Sequence, residues 1–307
     1  MKIAGRAGQP DTTRSAVVLP YLLLPVAPLC WAGNIVLARG VYEIMPPVAF
    51  AFWRWAVAFL MLLPFAWRQT RRDWPAAVRH WKILCLLAFL GISCFNTLLY
   101  TAVHTTTAIN GALIQTTMPA VIILITLIFF KERVTLLQVI GVVLCVAGAG
   151  VVVVRGQWNL LTHMSLVRGD ILMSIAVVIY ALYSALLRKR PAMHPVSFLV
   201  YTFGVCALGL LPLYLVEIGQ GRTFTPGWET LASIIYVALF PSIVAYFCWN
   251  RGVELIGANR AGLFINLIPV FASLMAIVWL GESLERFHMV GMLLILTGMV
   301  MFNRRRR

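Results

Sequence analysis

The chain has 307 residues, of which 61% are hydrophobic and 11% charged, and a formal net charge of +15; its mean hydropathy is +0.90. Soluble domains are about half apolar and a quarter charged, so this composition excludes a water-soluble fold and leaves little chain for a soluble domain. No recognition motif accompanies the basic excess, which flanks apolar runs as orienting charge does, so nucleic acid is not an expected partner.

A helix needs about 20 apolar residues to cross a bilayer. In chain order, the apolar runs predict ten such helices, at 16–38, 47–67, 83–102, 108–130, 136–154, 169–187, 197–216, 231–250, 260–280 and 287–302. The first lacks a small-residue cleavage site and reads as a span, not a removable signal peptide. The six cysteines lie in apolar runs without a CxxC spacing and read as packing residues, not as metal ligands or a disulfide framework. Lys and Arg number 19 on the side that holds both termini and the loops after even-numbered spans, against 5 on the other. The positive-inside rule places both termini in the cytoplasm of a bacterial-type plasma membrane.

Shifting the chain by 150 residues lays the third to fifth spans on the eighth to tenth without a gap. Pro119 then meets Pro269, Glu132 meets Glu282, Gly141 meets Gly291 and Gly148 meets Gly298. Leu and Val matches arise easily by chance in apolar sequence, whereas Pro, Glu and two Gly in register do not. The expected organisation is a first five-helix repeat over 1–154, a linker over 155–167 and a second repeat over 168–307. Five spans is an odd number, so the second copy enters the bilayer from the opposite side. The fold class is therefore all-α, with ten transmembrane helices as two inverted five-helix repeats. Inverted repeats favour a midplane site that opens to either side in turn.

The stretch 252–300, GVELIGANRAGLFINLIPVFASLMAIVWLGESLERFHMVGMLLILTGMV, resembles the second signature segment of EamA-type members of the drug/metabolite transporter superfamily, and 102–151 is its counterpart. The resemblance covers essentially the whole chain. It implies a ten-helix metabolite exporter, of the aromatic amino acid exporter type, with a cavity lined by spans one to four and six to nine and with spans five and ten peripheral. Trp31, Gly33 and Asn34 resemble the family's first-span pattern, with Arg39 where a lysine is usual. Tyr180 stands where a tryptophan is common.

Polar groups inside spans face a wet cavity or another helix, so each is a candidate for substrate binding. Asn96, Tyr100 and His104 recur every fourth residue, on one helical face, and the repeat pairs them with Tyr246, Asn250 and Glu254. They line either a cavity or an interhelical hydrogen-bond seam. Gln115, Thr116 and Thr117 precede Pro119, and Asn266 precedes Pro269. Proline frees a carbonyl one turn earlier, which marks both prolines as hinges or as structural kinks. Arg54 is the one charge well inside a span, and either attracts a substrate carboxylate or caps backbone carbonyls. Trp31 with Asn34, Tyr180 with Ser184, and Tyr246 with Trp249 and Asn250 pair rings with polar groups, which suits an aromatic or large neutral amino acid, or an organic cation.

Glu132 and Glu282 read as carboxylates on helix dipoles. The seven-residue glycine spacing reads as close helix contact, with a homodimer through spans five and ten as the expected assembly. His163, His194 and His288 read as solvated. No mid-membrane acid, P-loop, metal set or catalytic constellation stands out, so no enzyme, cofactor or ATP-driven step is expected, and His104 is the candidate titrating group. The expected activity is movement of a small metabolite across the membrane, with lipid as surroundings and a lipid-linked enzyme or flippase as rival readings.

Overall fold

The structure, a computed structural model, describes residues 12–130, 135–153, 167–257 and 261–303. Their regular structure is all helix, with no strand among the described residues. Ten elements follow in chain order: α1 Thr12–Gly40, α2 Pro47–Arg79, α3 Trp81–Ala102, α4 Ala108–Phe129, α5 Leu136–Val153, α6 Arg168–Leu186, α7 Pro195–Gly219, α8 Trp228–Ile256, α9 Phe264–Leu280 and α10 Arg286–Asn303. Seven are long and apolar enough to cross a membrane, and α5, α9 and α10 carry shorter apolar stretches.

The chain's own chemistry sets the helix ends. Pro47 and Pro195 open α2 and α7 at positions where a missing N–H costs nothing. Thr107 caps α4 by accepting the Asn110 amide at 3.1 Å. Gly281, at φ +66°, ends α9 in the left-handed region that favours glycine. The largest departure from the expected bounds is in α2, which continues twelve residues beyond the expected end at 67, through a basic amphipathic tail. This tail is held to α7 by Tyr201, whose hydroxyl donates to the Thr70 carbonyl at 2.6 Å.

The two halves interlock. α1 packs on α8 and α9, and its counterpart α6 packs on α3 and α4. α2 lies against α7, and α5 against α10. Both latter pairs are antiparallel. Glu217, near the end of α7, accepts the Val48 and Ala49 amides at the start of α2, while Asp73, near the end of α2, accepts the His194 amide before α7. In the other pair a Cβ on Gly148 would meet the Gly291 carbonyl at 2.7 Å, and one on Gly298 would meet the Gly141 carbonyl at 2.5 Å. The four glycines thus face one another within one chain. Outward-facing Leu22, Phe65, Leu213, Val278 and Leu293 are largely exposed, an arrangement that only a lipid surround tolerates.

Candidate functional site

Two π-helical turns prepare the site, at Phe89–Cys94 in α3 and Leu239–Val244 in α8. The 150-residue shift superposes them. Each widens the helix and turns a carbonyl sideways, Gly91 in one half and its equivalent Pro241 in the other. The ring of Pro241 removes the N–H that would serve the Val237 carbonyl, and the Ser242 hydroxyl donates there instead, at 2.7 Å. The Tyr246 hydroxyl donates to the Gly91 carbonyl at 2.7 Å. Trp31 Nε1 donates to the Pro241 carbonyl at 3.2 Å.

Arg54 reaches into this gap from α2 and is 1% exposed. Its Nε donates to Ser242 at 2.6 Å and its Nη2 to the Pro241 carbonyl at 2.9 Å. Nη1 is shared among Asn96 Oδ1 at 2.7 Å, the Tyr100 hydroxyl at 2.7 Å and Asn34 Oδ1 at 3.2 Å. The guanidinium also lies 4.4 Å from the centre of the Trp55 ring. The five contacts and the ring face replace the hydration of the guanidinium. No carboxylate pairs with it among the described residues. The sequence left cavity cation and carbonyl cap as alternatives; Arg54 does cap a carbonyl, yet no carboxylate among the described residues neutralises it.

Beside this knot, Trp31 meets Trp249, Tyr180 and Tyr246 edge-on at centroid distances of 5.3, 5.8 and 5.9 Å. Between the rings and the knot is a cavity of about 10 Å³, bordered by Asn34, Asn96, Gln115, Tyr180 and Tyr246. It is about the size of one water probe and admits no larger solute. A vestibule of about 820 Å³ opens next to it, bordered by Ser184, Arg188, Arg190, Asn250 and Glu254. Four atoms in this region are buried without a hydrogen-bond partner: the Tyr180 hydroxyl, Ser184 Oγ, Trp249 Nε1 and Asn250 Nδ2. An unmatched buried polar atom is costly and is expected where a ligand completes the bonding.

The structure thus gathers Trp31, Asn34, Arg54, Asn96, Tyr100, Gln115, Tyr180, Ser184, Tyr246, Trp249 and Asn250 around one region. His104 does not join them: it lies past the end of α3, against the Tyr42 ring at 5.6 Å. Thr116 and Thr117 turn their hydroxyls onto the Leu113 and Ile114 carbonyls at 2.6 and 2.7 Å, filling the break before Pro119. Asn266 ends a 3₁₀ turn, Gly262–Asn266, at the equivalent place before Pro269. Tyr183, which donates to Asn250 Oδ1 at 3.1 Å, and Ser242 and Trp55 were not anticipated as site residues. Pro241 in register with Gly91 was the available signal for Ser242.

At the opposite end the halves are sealed. Thr106 and Asn110 Nδ2 bond the fully buried Asp170 in the first turn of α6. His288 Nε2 lies 2.8 Å from Asn110 Oδ1, and Glu282 accepts the Ala108 and Ile109 amides at 2.9 and 3.1 Å. Glu282 therefore sits on a helix dipole as expected, although on that of α4. His288 corrects its reading as solvated, being 4% exposed. Nothing in the sequence marks Asp170, since an acid in a first turn looks like a solvated cap until the neighbouring loop is packed on it. Glu132 and His163 lie outside the described residues.

A profile of the EamA-like transporter family matches residues 18–154 and again 167–304. The chain belongs to this family. Among curated relatives of this EamA-like chain, it is 26% identical over 288 residues to "Uncharacterized transporter YyaM" of Bacillus subtilis, covering 91% of this chain and 92% of that one. It is 26% identical over 242 residues to "Probable terminal-alkyne amino-acid exporter" of Streptantibioticus cattleyicolor, covering 78% and 76%. A crystal structure with 16% identity superposes with a TM-score of 0.65 over 94% of this chain and 96% of the other, which establishes a shared fold. As an EamA-like transporter with apolar helices, the protein is an integral, multi-pass membrane protein.

Proposed function

We propose that this protein exports small solutes that combine a carboxylate with an apolar body, aromatic or large neutral amino acids foremost, by alternating access without a built-in ATP step. The observation that carries the reading is Arg54: a buried charge with no acidic partner among the described residues, bonded to both halves of the chain beside unmatched polar atoms and rings. A carboxylate would neutralise it, whereas an organic cation would be repelled, so the amino-acid reading is favoured over the cation reading. That one relative is named as an amino-acid exporter agrees with this choice.

In this reading all ten helices cross the inner membrane, both termini are cytoplasmic, and the repeats divide at the 155–167 linker. The antiparallel α2/α7 and α5/α10 pairs support the inversion. The vestibule lies among Arg188 and Arg190, on the basic and therefore cytoplasmic side, while the Asp170 end is shut. The conformation is one that receives solute from the cytoplasm. Pro119 and Pro269, at the helix breaks, supply the hinges. A homodimer would use the lipid-facing sides of α5 and α10, because their glycine faces are occupied.

The test is flux of labelled phenylalanine, leucine and an organic cation into proteoliposomes, with and without a pH gradient. Saturable phenylalanine flux independent of the gradient is expected. Flux of the cation alone, or of none of these solutes above that of empty vesicles, overturns the reading.

A further inference from the structure

Two layers of polar groups line the vestibule. The inner layer is Ser184 Oγ on α6 and Asn250 Nδ2 on α8, both buried and unmatched. Tyr183 occupies Asn250 Oδ1 and so leaves the amide's donors over. The outer layer repeats the same two elements, with Arg190 after the end of α6 and Glu254 one turn beyond Asn250 on α8. Arg190 Nη2 lies 2.9 Å from Glu254 Oε1, with side-chain exposures of 17% and 36%. Arg251 holds the other carboxylate oxygen at 2.7 Å.

An ion pair at the mouth of an 820 Å³ vestibule offers one cation and one anion side by side. A zwitterion carries the complementary set. Either partner of a half-exposed pair can exchange its bond for an equivalent one to solute at little net cost, because the pair itself contributes little in contact with water. Arg251 would keep Glu254 in place while Arg190 turns to the solute.

We infer that the Arg190–Glu254 pair is an entry subsite for zwitterionic α-amino acids, which takes the α-carboxylate on Arg190 and the α-ammonium on Glu254. The side chain of the solute then points inward. Its first contacts are Asn250 and Ser184, about 6 Å further along the helices, and beyond them the rings of Tyr180 and Trp249. Recognition is thus divided in sequence: at entry the outer layer reads both charges while the apolar body leads inward, and Arg54 receives the carboxylate only once the solute has left this subsite. This assignment rests on the amino-acid reading proposed above.

The experiment compares phenylalanine with phenethylamine, which lacks the carboxylate, and 3-phenylpropionate, which lacks the ammonium. In wild-type proteoliposomes each one-charge analogue is expected to compete with phenylalanine uptake about fivefold or more weakly than phenylalanine itself, the scale of one partly exposed charged contact. Glu254→Gln is expected to raise KM for phenylalanine by about fivefold while leaving competition by 3-phenylpropionate unchanged; Arg190→Gln raises it similarly while sparing phenethylamine. Equal competition by all three solutes in the wild type overturns the inference, without need of any variant. So do variants that alter all three by one common factor. Absence of phenylalanine flux in the wild type overturns the exporter reading instead, so the two failures are distinct.

Discussion

Glu217 and Asp73 cap each other's helices: the carboxylate ending α7 accepts the amides of Val48 and Ala49 at 3.3 and 2.6 Å, and the carboxylate ending α2 accepts the His194 amide at 3.0 Å. The second helices of the two halves are thereby tied at both ends, each negative charge lying on the positive end of the opposing dipole. Since Glu217 is 5% exposed, its two bonds are little weakened by water.

Glu217→Ala is accordingly expected to destabilise the protein by about 1–2 kcal/mol, the range for losing a helix cap. Thermal unfolding in detergent measures this against Glu229→Ala, an exposed acid in the first turn of α8. Equal shifts for the two variants would show that the clasp contributes nothing.

Arg54 separates charge from bonding. Arg54→Lys retains the cation but cannot serve Ser242, Asn96, Tyr100 and the Pro241 carbonyl together, whereas Arg54→Gln removes the charge. Each acceptor left unmatched costs about 1–3 kcal/mol, so both variants lower the melting temperature. At matched folded fraction, phenylalanine flux is expected to survive in the Lys variant and to fall about tenfold or more in the Gln variant. Identical flux in the two would reduce Arg54 to a structural group.

Gly298→Ala places a methyl 2.5 Å from the Gly141 carbonyl, which forces α5 and α10 apart. Overpacking of this kind costs about 1–3 kcal/mol. Gly209→Ala, where no atom lies within 4 Å, should be neutral or mildly stabilising. The pair of melting temperatures checks this, and a harmless Gly298→Ala would mean the helices do not touch there.

His104 lies between the spans, and burial, followed by the charges of Arg39 and Arg222, holds its imidazole below the ordinary value of 6.5. The unfolded chain then takes up the proton first as pH falls through 6.5, so folded stability declines from there downward until the folded group also titrates, and is unaffected above it. Unfolding midpoints measured between about pH 8 and pH 5 should show this decline, and His104→Gln should reduce it. An unchanged profile in the variant would assign the decline to other groups.

Composition and periodicity alone determined that the chain is a helical membrane protein, because crossing lipid imposes runs of about 20 apolar residues that nothing else explains. The repeat, read from Pro119 with Pro269 and from two glycine pairs, also paired Asn96 with Tyr246 and Tyr100 with Asn250. Polar residues within spans are rare enough to be picked out singly, and most of the residues that the structure gathers around the Arg54 knot were legible for that reason. What sequence could not tell is which atoms those residues satisfy. Arg54 finds its partners 20 to 188 residues away, and they include a carbonyl exposed by a π turn that no side-chain pattern announces. The same holds for Asp170 and His288, ordinary loop-end residues until the α3–α4 turn packs over them. Hydropathy is a property of each segment by itself, whereas the pairing of buried donors and acceptors exists only between segments, and folding alone brings those together.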